Sequence, residues 1–296
     1  MTQIAFLGLG NMGGPMAANL VGAGHAVAGF DLVREALEAA RAGGVGVAAS
    51  AEAAVEGAEV VVTMLPAGRH VLSVYDAVLP RVAAGALLID CSTIDVASAR
   101  AAHARAAGAG LASLDAPVSG GVGGATAATL TFMAGGAPEA FARAEPILSA
   151  MGRKVVHCGE AGAGQAAKIC NNMILGISMV GVAEAFVLAE KLGLSHQALF
   201  DVASTSSGQC WSLTTYCPVP GPVPTSPANS DYRPGFAAAL MLKDLRLSQE
   251  AAGAAGAATP LGAHAEALYA AFEAAGHGGT DFSGIIRHLR EAPREA

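Results

Sequence analysis

Charged side chains are scarce in this sequence, and the basic ones form no cluster. Asp, Glu, Lys and Arg make up 14% of the 296 residues, and the formal net charge at pH 7 is -7. Binding to nucleic acid phosphates requires clustered Lys and Arg, so the composition argues against that class of protein. Alanine supplies much of the 53% apolar fraction and 38 residues are glycine, which indicates close packing of small side chains.

Closely spaced cysteines are also missing. No Cys-x-x-Cys pair occurs, and the eight histidines show no metal-ligand spacing and lie near none of the motifs described below. The five cysteines are Cys91, Cys158, Cys170, Cys210 and Cys217. Disulfide frameworks and structural zinc sites need tighter spacings. We therefore predict reduced thiols in a cytoplasmic protein and no metal site.

A leader peptide and a membrane span are not expected either. Gln3–Leu7 already has the pattern of a strand, which leaves no room for a basic, apolar, cleavable leader. The most apolar stretch, Met173–Ala189, carries Ser178 and Glu184 and belongs to a longer helical pattern. It is therefore predicted to be a buried helix rather than a membrane span.

Short apolar runs alternate with Ala-rich helical stretches over the first 160 residues or so. Buried parallel strands have continuous apolar sequences, and their alternation with helices is typical of a doubly wound sheet. The runs predicted as strands are Ile4–Leu7, Ala26–Phe30, Val60–Leu65, Ala86–Ile89, Leu111–Leu114, Leu130–Met133 and Val155–His157.

The pattern changes at about residue 164. Gly164–Leu192 contains no Pro and has interior glycines only at positions 176 and 181, which predicts one helix on the order of 40 Å long. Later segments are helical, with Ser195 capping the next helix and a loop rich in Pro, Gly and Ser over 217–235. The predicted fold class is α/β: a Rossmann-type doubly wound domain over 1–163, then a long interdomain helix and an all-α C-terminal domain over 164–296.

A glycine-rich turn follows the first predicted strand and opens a helix. Gly8, Gly10 and Gly13 have the GxGxxG spacing, with Asn11 and Met12 between the second and third glycines. The first glycine permits a tight turn, the second lets a pyrophosphate approach the backbone, and the third lets the helix pack on the strand. The helix N-terminus then favours phosphate binding. This motif predicts a dinucleotide site, and a glycine turn without a ligand is the alternative.

An acidic residue follows at the distance expected for a ribose contact. Asp31 ends the second predicted strand, 18 residues after Gly13. A carboxylate there accepts hydrogen bonds from the ribose hydroxyls of NAD and repels a 2′-phosphate, so NAD is the predicted cofactor. A helix cap for the stretch that starts at Val33 is the alternative, and Arg34 is within reach of a 2′-phosphate.

Four blocks of sequence resemble the β-hydroxyacid dehydrogenase family. Phe6–Ala17 is similar to its N-terminal signature, and three further blocks agree in order and spacing over essentially the whole chain: Asp115–Gly121, Gly162–Asn172 and Lys243–Leu245. Ser207–Ser212, continued by Pro218–Gly221, resembles 3-hydroxyisobutyrate dehydrogenases in particular. The segment Thr225–Tyr232 matches nothing closely.

The resemblance implies that Lys168 is the general base of an NAD-dependent alcohol oxidation. Spacing alone favours an ordinary surface lysine on an amphipathic helix, and the resemblance reverses that preference. A position near the N-terminus of the long helix would lower the lysine pKa. Asn172, four residues later on the same face, would orient the lysine or bind the substrate, whereas Asn171 points elsewhere and is assigned a structural role.

The resemblance also implies a substrate site and the remaining cofactor contacts. Ser119, Gly120 and Gly121 would bind the substrate carboxylate through backbone N–H groups and a hydroxyl, with a plain turn as the alternative. Trp211 and Phe236 would wall an apolar pocket, although a role as core aromatics is equally consistent with the sequence.

The residues implied to contact the dinucleotide lie after two strands and in the C-terminal domain. Leu65, Pro66 and Thr93 would lie at carboxyl ends of strands, where open α/β sheets bind ligands. Lys243 would come from the C-terminal domain.

The function expected from these assignments is NAD-dependent oxidation of 3-hydroxyisobutyrate to methylmalonate semialdehyde, a step of valine catabolism. The shared motifs leave open reduction of tartronate semialdehyde or oxidation of another short β-hydroxyacid, and a non-catalytic NAD-binding scaffold is a more distant alternative. The long Ala- and Gly-bearing helix suggests a homodimer or homotetramer.

Overall fold

The computed structural model describes residues 1–291. Within it the chain divides into two compact units, the first ending at Lys168 and the second beginning at Ile169. The boundary predicted between residues 163 and 164 lies five residues earlier, at the start of the helix that runs from one unit into the other.

The first unit contains one mixed sheet. Its strands are β1 (Gln3–Leu7), β2 (Ala26–Phe30), β3 (Gly46–Val47), β4 (Val60–Thr63), β5 (Leu87–Asp90), β6 (Ala112–Asp115), β7 (Val118–Ser119), β8 (Leu130–Gly135) and β9 (Gly152–Gly159). The helices that connect them are α1 (Gly13–Gly22), α2 (Arg34–Ala42), α3 (Ala51–Val55), α4 (Gly68–Val78), α5 (Val96–Gly108), α6 (Gly121–Thr126) and α7 (Pro138–Ser149).

Six strands in the order β3-β2-β1-β4-β5-β6 are all parallel, which confirms the predicted doubly wound sheet. The sheet then departs from the prediction, because β8 runs antiparallel to both β6 and β7, while β9 is parallel to β8. The chain reverses direction after β6 without a full crossover helix, and such short returns produce antiparallel pairs. β3 and β7, of two residues each, were not predicted.

The central strands are buried on both faces. Every residue of β4 and β5 is buried, since apolar clusters cover both sides of the sheet. This burial explains their continuous apolar sequences. The polar exceptions, Thr63 and Asp90, both stand at the carboxyl end of their strand.

A 29-residue helix, α8 (Ala163–Lys191), follows the sheet. It differs from the predicted Gly164–Leu192 by one residue at each end. Among the described residues it is the one helix long and apolar enough to cross a membrane by length and composition, a test that core helices of soluble proteins also pass. Only 39% of its most apolar window is buried, so the prediction of a buried helix is correct for one face only: Ile174 is 66% exposed and Leu188 60%.

The second unit is helical over its described residues, as predicted. Its further helices are α9 (His196–Ala203), α10 (Trp211–Thr214), α11 (Ala238–Ala255), α12 (Pro260–Phe272) and α13 (Ile285–Glu291). The predicted cap is confirmed, because the Ser195 hydroxyl accepts a hydrogen bond from the amide of Ala198 at the start of α9.

One buried carboxylate organises the loops of this second unit. Asp281 is 0% exposed. One of its oxygens accepts hydrogen bonds from the Tyr216 hydroxyl and from the amides of Gly235 and Phe236. The other accepts from the amide and hydroxyl of Ser283. Replacing the carboxylate would leave several buried donors without acceptors.

Asp281→Ala is therefore expected to lower the free energy of unfolding by on the order of 3 kcal/mol, because each unsatisfied buried donor costs about 1–3 kcal/mol. The measurement is urea unfolding followed by circular dichroism. Asp201→Ala is the matched control, since Asp201 is exposed on α9 and its carboxylate accepts from the exposed side chain of Gln197. An equal effect of the two variants would show that Asp281 does not organise these loops.

Candidate active site

The glycine loop after β1 has the geometry that a dinucleotide site requires. Gly8 has φ +97°, and a Cβ there would lie 2.2 Å from the carbonyl oxygen of Met64. A Cβ at Gly13 would lie 1.9 Å from the carbonyl oxygen of Gly8, whereas one at Gly10 would meet nothing within 4 Å. The first and third glycines are therefore needed for backbone packing, and the second leaves the open surface that a pyrophosphate would occupy.

The helix that follows this loop presents its N-terminus without a side-chain cap. α1 begins at Gly13 with Met12 in the cap position, and both Gly10 and Asn11 are exposed. The positive end of the helix dipole thus faces the open side of the loop, which suits a phosphate group.

Asp31 is tied to the same loop. One carboxylate oxygen accepts a hydrogen bond from the Leu9 amide at 2.7 Å, and the other accepts from the Val33 amide at 2.8 Å. The bond to Val33 spans two residues and forms an Asx turn just before α2, which has no side-chain cap of its own. Each carboxylate oxygen keeps a further lone pair for a ribose hydroxyl.

Arg34, the residue that complicates the cofactor preference, is weakly held. Its guanidinium lies 2.9 Å from Glu38 one turn later, and the two side chains are 86% and 55% exposed. Exposed pairs of this kind contribute only about 0.3–0.5 kcal/mol, so Arg34 remains free to reorient.

A buried polar network joins the loops that follow β4 and β5. The Leu65 amide donates to the Ser92 hydroxyl at 2.8 Å, and that hydroxyl donates to Asp90 at 2.6 Å. Thr63 donates to the same Asp90 oxygen at 2.7 Å. Burial raises the pKa of Asp90 to about 6, and its second oxygen, Oδ2, is buried without a hydrogen-bond partner. Sequence reasoning missed this network, which holds the backbone beside three of the predicted contacts, namely Leu65, Pro66 and Thr93.

The predicted carboxylate site lies at the junction of β7 and α6. Ser119 ends β7 and is partly exposed, and the next two residues, Gly120 and Gly121, have φ angles of +135° and +60°. Two consecutive positive φ angles are accessible to glycine at low cost. The loop therefore turns sharply with exposed backbone, as the carboxylate assignment requires.

Lys168 and Asn172 lie four residues apart on α8 and so on one face of it. Both are buried, with 7% and 2% of their surface exposed. The Asn172 amide donates to the Asp244 carboxylate and accepts from the Asn171 side chain, so its orientation is fixed. The sequence did not indicate the pairing with Asp244, although Asp244 stands next to Lys243 in a recognised motif.

The histidine prediction is wrong at one position. His103, on α5, places Nε2 2.9 Å from the carboxylate of Asp115 and Nδ1 2.8 Å from the Ser113 hydroxyl. It therefore contacts the first residue of the Asp115–Gly121 motif. The sequence gave no signal for this contact because His103 belongs to a different element. No group of three metal-binding side chains occurs within residues 1–291.

The two predicted pocket aromatics belong to one row of rings in the second unit. Trp211, 49% exposed, stacks on Tyr216 at 4.9 Å, Tyr216 contacts Phe282 at 5.2 Å, and Phe282 meets Phe236 edge-on at 5.7 Å. Burial and the neighbouring Asp281 raise the pKa of Tyr216, which keeps its hydroxyl protonated. Tyr216 and Phe282 are the members that sequence reasoning missed. Lys243, on α11 in the same unit, is partly buried.

Comparison with known proteins gives matches over almost the whole chain. Residues 3–159 match the model of the NAD binding domain of 6-phosphogluconate dehydrogenase, and residues 162–289 match that of the NAD-binding domain of NADP-dependent 3-hydroxyisobutyrate dehydrogenase. A 3-hydroxyisobutyrate dehydrogenase of Pseudomonas aeruginosa is 55% identical, with 98% of this chain and 99% of that protein covered.

Two further relatives bear on the substrate. An NAD-dependent L-serine dehydrogenase of Pseudomonas aeruginosa is 50% identical, with 98% of both chains covered. The solved structure of Mycobacterium tuberculosis 3-hydroxyisobutyrate dehydrogenase with L-serine has a TM-score of 0.96 and 58% identity, over 98% of this chain and 99% of that one.

The geometry at Asp31 generates a test of cofactor preference. Wild-type protein is expected to show a higher kcat/KM with NAD than with NADP, and Asp31→Ser should shift that ratio toward NADP by about 10–100-fold, since a hydrogen bond to a charged group contributes about 1.5–3 kcal/mol. Glu35→Ser, an exposed carboxylate on α2, is the control. A wild-type preference for NADP would mean that Arg34 dominates this position.

Proposed function

The chain belongs to the β-hydroxyacid dehydrogenase family and is an NAD(P)-dependent oxidoreductase, and on this premise we propose that it oxidises 3-hydroxyisobutyrate to methylmalonate semialdehyde with NAD, in valine catabolism. The observation that carries this proposal is the pair Lys168 and Asn172, buried on one face of α8 with Asn172 fixed by Asp244.

The residues proposed to hold the dinucleotide are those of the first unit's strand ends. The open backbone at Gly10 and the N-terminus of α1 would bind the pyrophosphate, and Asp31 would accept from the ribose hydroxyls. Leu65, Pro66 and Thr93 would line the nicotinamide half, and Lys243 is proposed as a further cofactor contact. The bound dinucleotide supplies the hydride acceptor for alcohol oxidation.

Lys168 is proposed to take the proton of the substrate hydroxyl on Nζ as the C–H bond breaks. Removing that proton in the same step avoids a protonated carbonyl product, and positioned bases contribute typically about 10²–10⁴-fold to rate. In the reverse direction the protonated amine returns the proton to the carbonyl oxygen. Asn172 is proposed to orient the amine or the substrate through its amide.

The substrate carboxylate is proposed to bind at Ser119–Gly121. This loop offers backbone N–H groups and one hydroxyl and carries no Arg or Lys, so it suits a monocarboxylate rather than a phosphorylated or dicarboxylic acid. Trp211 and Phe236 are proposed to contact the methyl branch. Since one methyl group in an apolar pocket contributes only about 1–3 kcal/mol, unbranched analogues should react slowly.

L-Serine is the second candidate substrate. It differs from 3-hydroxyisobutyrate in carrying an amino group where the latter has a methyl, and a relative of 50% identity is an NAD-dependent L-serine dehydrogenase. Trp211 is 49% exposed, so a polar substituent beside it would keep contact with solvent.

Self-association and a cytoplasmic location complete the proposal. The exposed apolar residues Ile174, Leu188 and Leu192 on and just after α8 support a homodimer or homotetramer. The five cysteines are all free thiols, which is consistent with a reducing compartment.

Lys168→Ala is expected to lower kcat by at least about 10²-fold, while the dissociation constant for NAD, measured by calorimetry, changes little. Lys191→Ala, at the exposed end of the same helix, serves as the control and should retain full activity. A loss smaller than about tenfold for Lys168→Ala would remove it as the base and leave Lys243 as the next candidate.

Substrate choice is tested with 3-hydroxyisobutyrate, 3-hydroxypropionate, L-serine and D-glycerate, by following NAD reduction. The branched acid should have the highest kcat/KM, by about 10–200-fold over 3-hydroxypropionate, and Trp211→Ala should reduce that ratio. Val202→Ala, an exposed apolar residue on α9, should not. D-Glycerate as the best substrate would favour the tartronate semialdehyde assignment, and L-serine would favour a serine dehydrogenase.

A further inference from the structure

The first turn of α8 contains a buried glutamine that reaches back to the loop after β5. Gln165 is 0% exposed. Its side-chain Nε2 donates to the carbonyl oxygen of Ser92 at 2.7 Å, and its Oε1 accepts from the amide of Ile94 at 3.1 Å. The two bonds bracket Thr93, so this one amide satisfies the backbone on both sides of it.

The same turn of α8 is fixed at its backbone by a second buried residue. The carboxylate of Asp115 accepts from the amide of Gly162 at 2.8 Å through one oxygen and from the amide of Gln165 at 2.9 Å through the other. These bonds satisfy N–H groups that a helix N-terminus otherwise leaves without partners. They hold Gln165 at its main chain while its side chain holds the loop.

Close backbone packing removes the remaining freedom of this turn. A Cβ at Gly164 would lie 2.2 Å from the carbonyl oxygen of Met133, and a Cβ at Gly135 would lie 2.6 Å from the amide nitrogen of Gly164. The start of α8 therefore rests directly on the main chain of β8. It has no room to slide or rotate toward the sheet.

Lys168 follows Gln165 by three residues, which is about 4.5 Å along a helix at 1.5 Å per residue. The start of the helix and the Ser92–Ile94 loop are each held by other contacts, and the two bonds of Gln165 join them directly, one turn before Lys168. Catalysis is sensitive to such distances, since a displacement of about 1 Å can cost on the order of 10²-fold in rate.

We propose that Gln165 is a positioning residue that couples the Ser92–Ile94 loop to the helix carrying Lys168, and so fixes the distance between the base and the dinucleotide. This proposal rests on the proposed function, in which Lys168 is the base and Thr93 lines the cofactor. An apolar residue of similar shape would fill the same space, but it would leave the Ser92 carbonyl and the Ile94 amide unpaired.

The test is a double-mutant cycle between Gln165→Met and Lys168→Ala, with single-turnover hydride transfer measured by absorbance of the reduced cofactor. Gln165→Met alone should lower the rate by about 10²-fold and change the dissociation constant for NAD less than about threefold. In the Lys168→Ala background the same substitution should cost less than about threefold, because the group that Gln165 positions is already gone.

Two controls separate positioning from general loss of structure. Gln165→Glu keeps the acceptor for Ile94 and donates to Ser92 only when its buried carboxyl group is protonated, so its rate should fall between wild type and Gln165→Met at low pH. If Gln165→Met does not fold, Gln165→Glu takes its place in the double-mutant cycle with Lys168→Ala. Gln197→Met, an exposed glutamine on α9, should leave the rate unchanged.

The measured rates separate the positioning role of Gln165 from the role of Lys168 as the base. Equal costs of Gln165→Met with and without Lys168 would overturn the positioning role, as would a wild-type rate for that variant. A wild-type rate for Lys168→Ala alone would instead overturn the proposed base, whatever the result at Gln165.

Discussion

The direct contact between the first turn of α8 and the main chain of the sheet is the constraint on which the candidate site depends. Gly164 has no side chain because the carbonyl oxygen of Met133 occupies the place of its Cβ. With the backbone so close, the amides at the helix start find their acceptor in Asp115, a residue 47 positions away from Gly162 in sequence. Lys168 lies one turn further along α8, so these contacts also fix the position of its backbone.

Buried hydrogen bonds also fix the loops at the strand ends of the first unit. Thr63 and Asp90 are the polar residues of otherwise apolar strands, and together with Ser92 they hold the loops after β4 and β5 in a fixed relation. Buried hydrogen bonds at the strand ends therefore hold the loops that contain the proposed cofactor contacts Leu65, Pro66 and Thr93.

Much of this architecture could be predicted from local sequence. The apolar run Ala26–Phe30 coincides with β2, and α8 was placed to within one residue at each end. Both signals, a short apolar run and a long segment without proline, are carried by neighbouring residues. The strand β7 was missed since two residues give no periodicity. Gln165 and Asp115 were missed as site-forming groups because their partners lie 47 to 73 residues away and only the folded chain brings them together.

The buried, partly unbonded carboxylate of Asp90 has a consequence for acid tolerance. Its pKa of about 6 exceeds the ordinary value of 3.8 because burial disfavours the charge, so the stability that protonation provides is complete below pH 4 and is lost as pH rises through 6. Glu190, in the second unit, has its pKa lowered by hydrogen bonding to Arg290, and its contribution is lost as pH falls. Mild acid therefore acts with opposite sign on these two groups: protonation of Asp90 stabilises the folded first unit, whereas protonation of Glu190 removes its bond to Arg290 in the second.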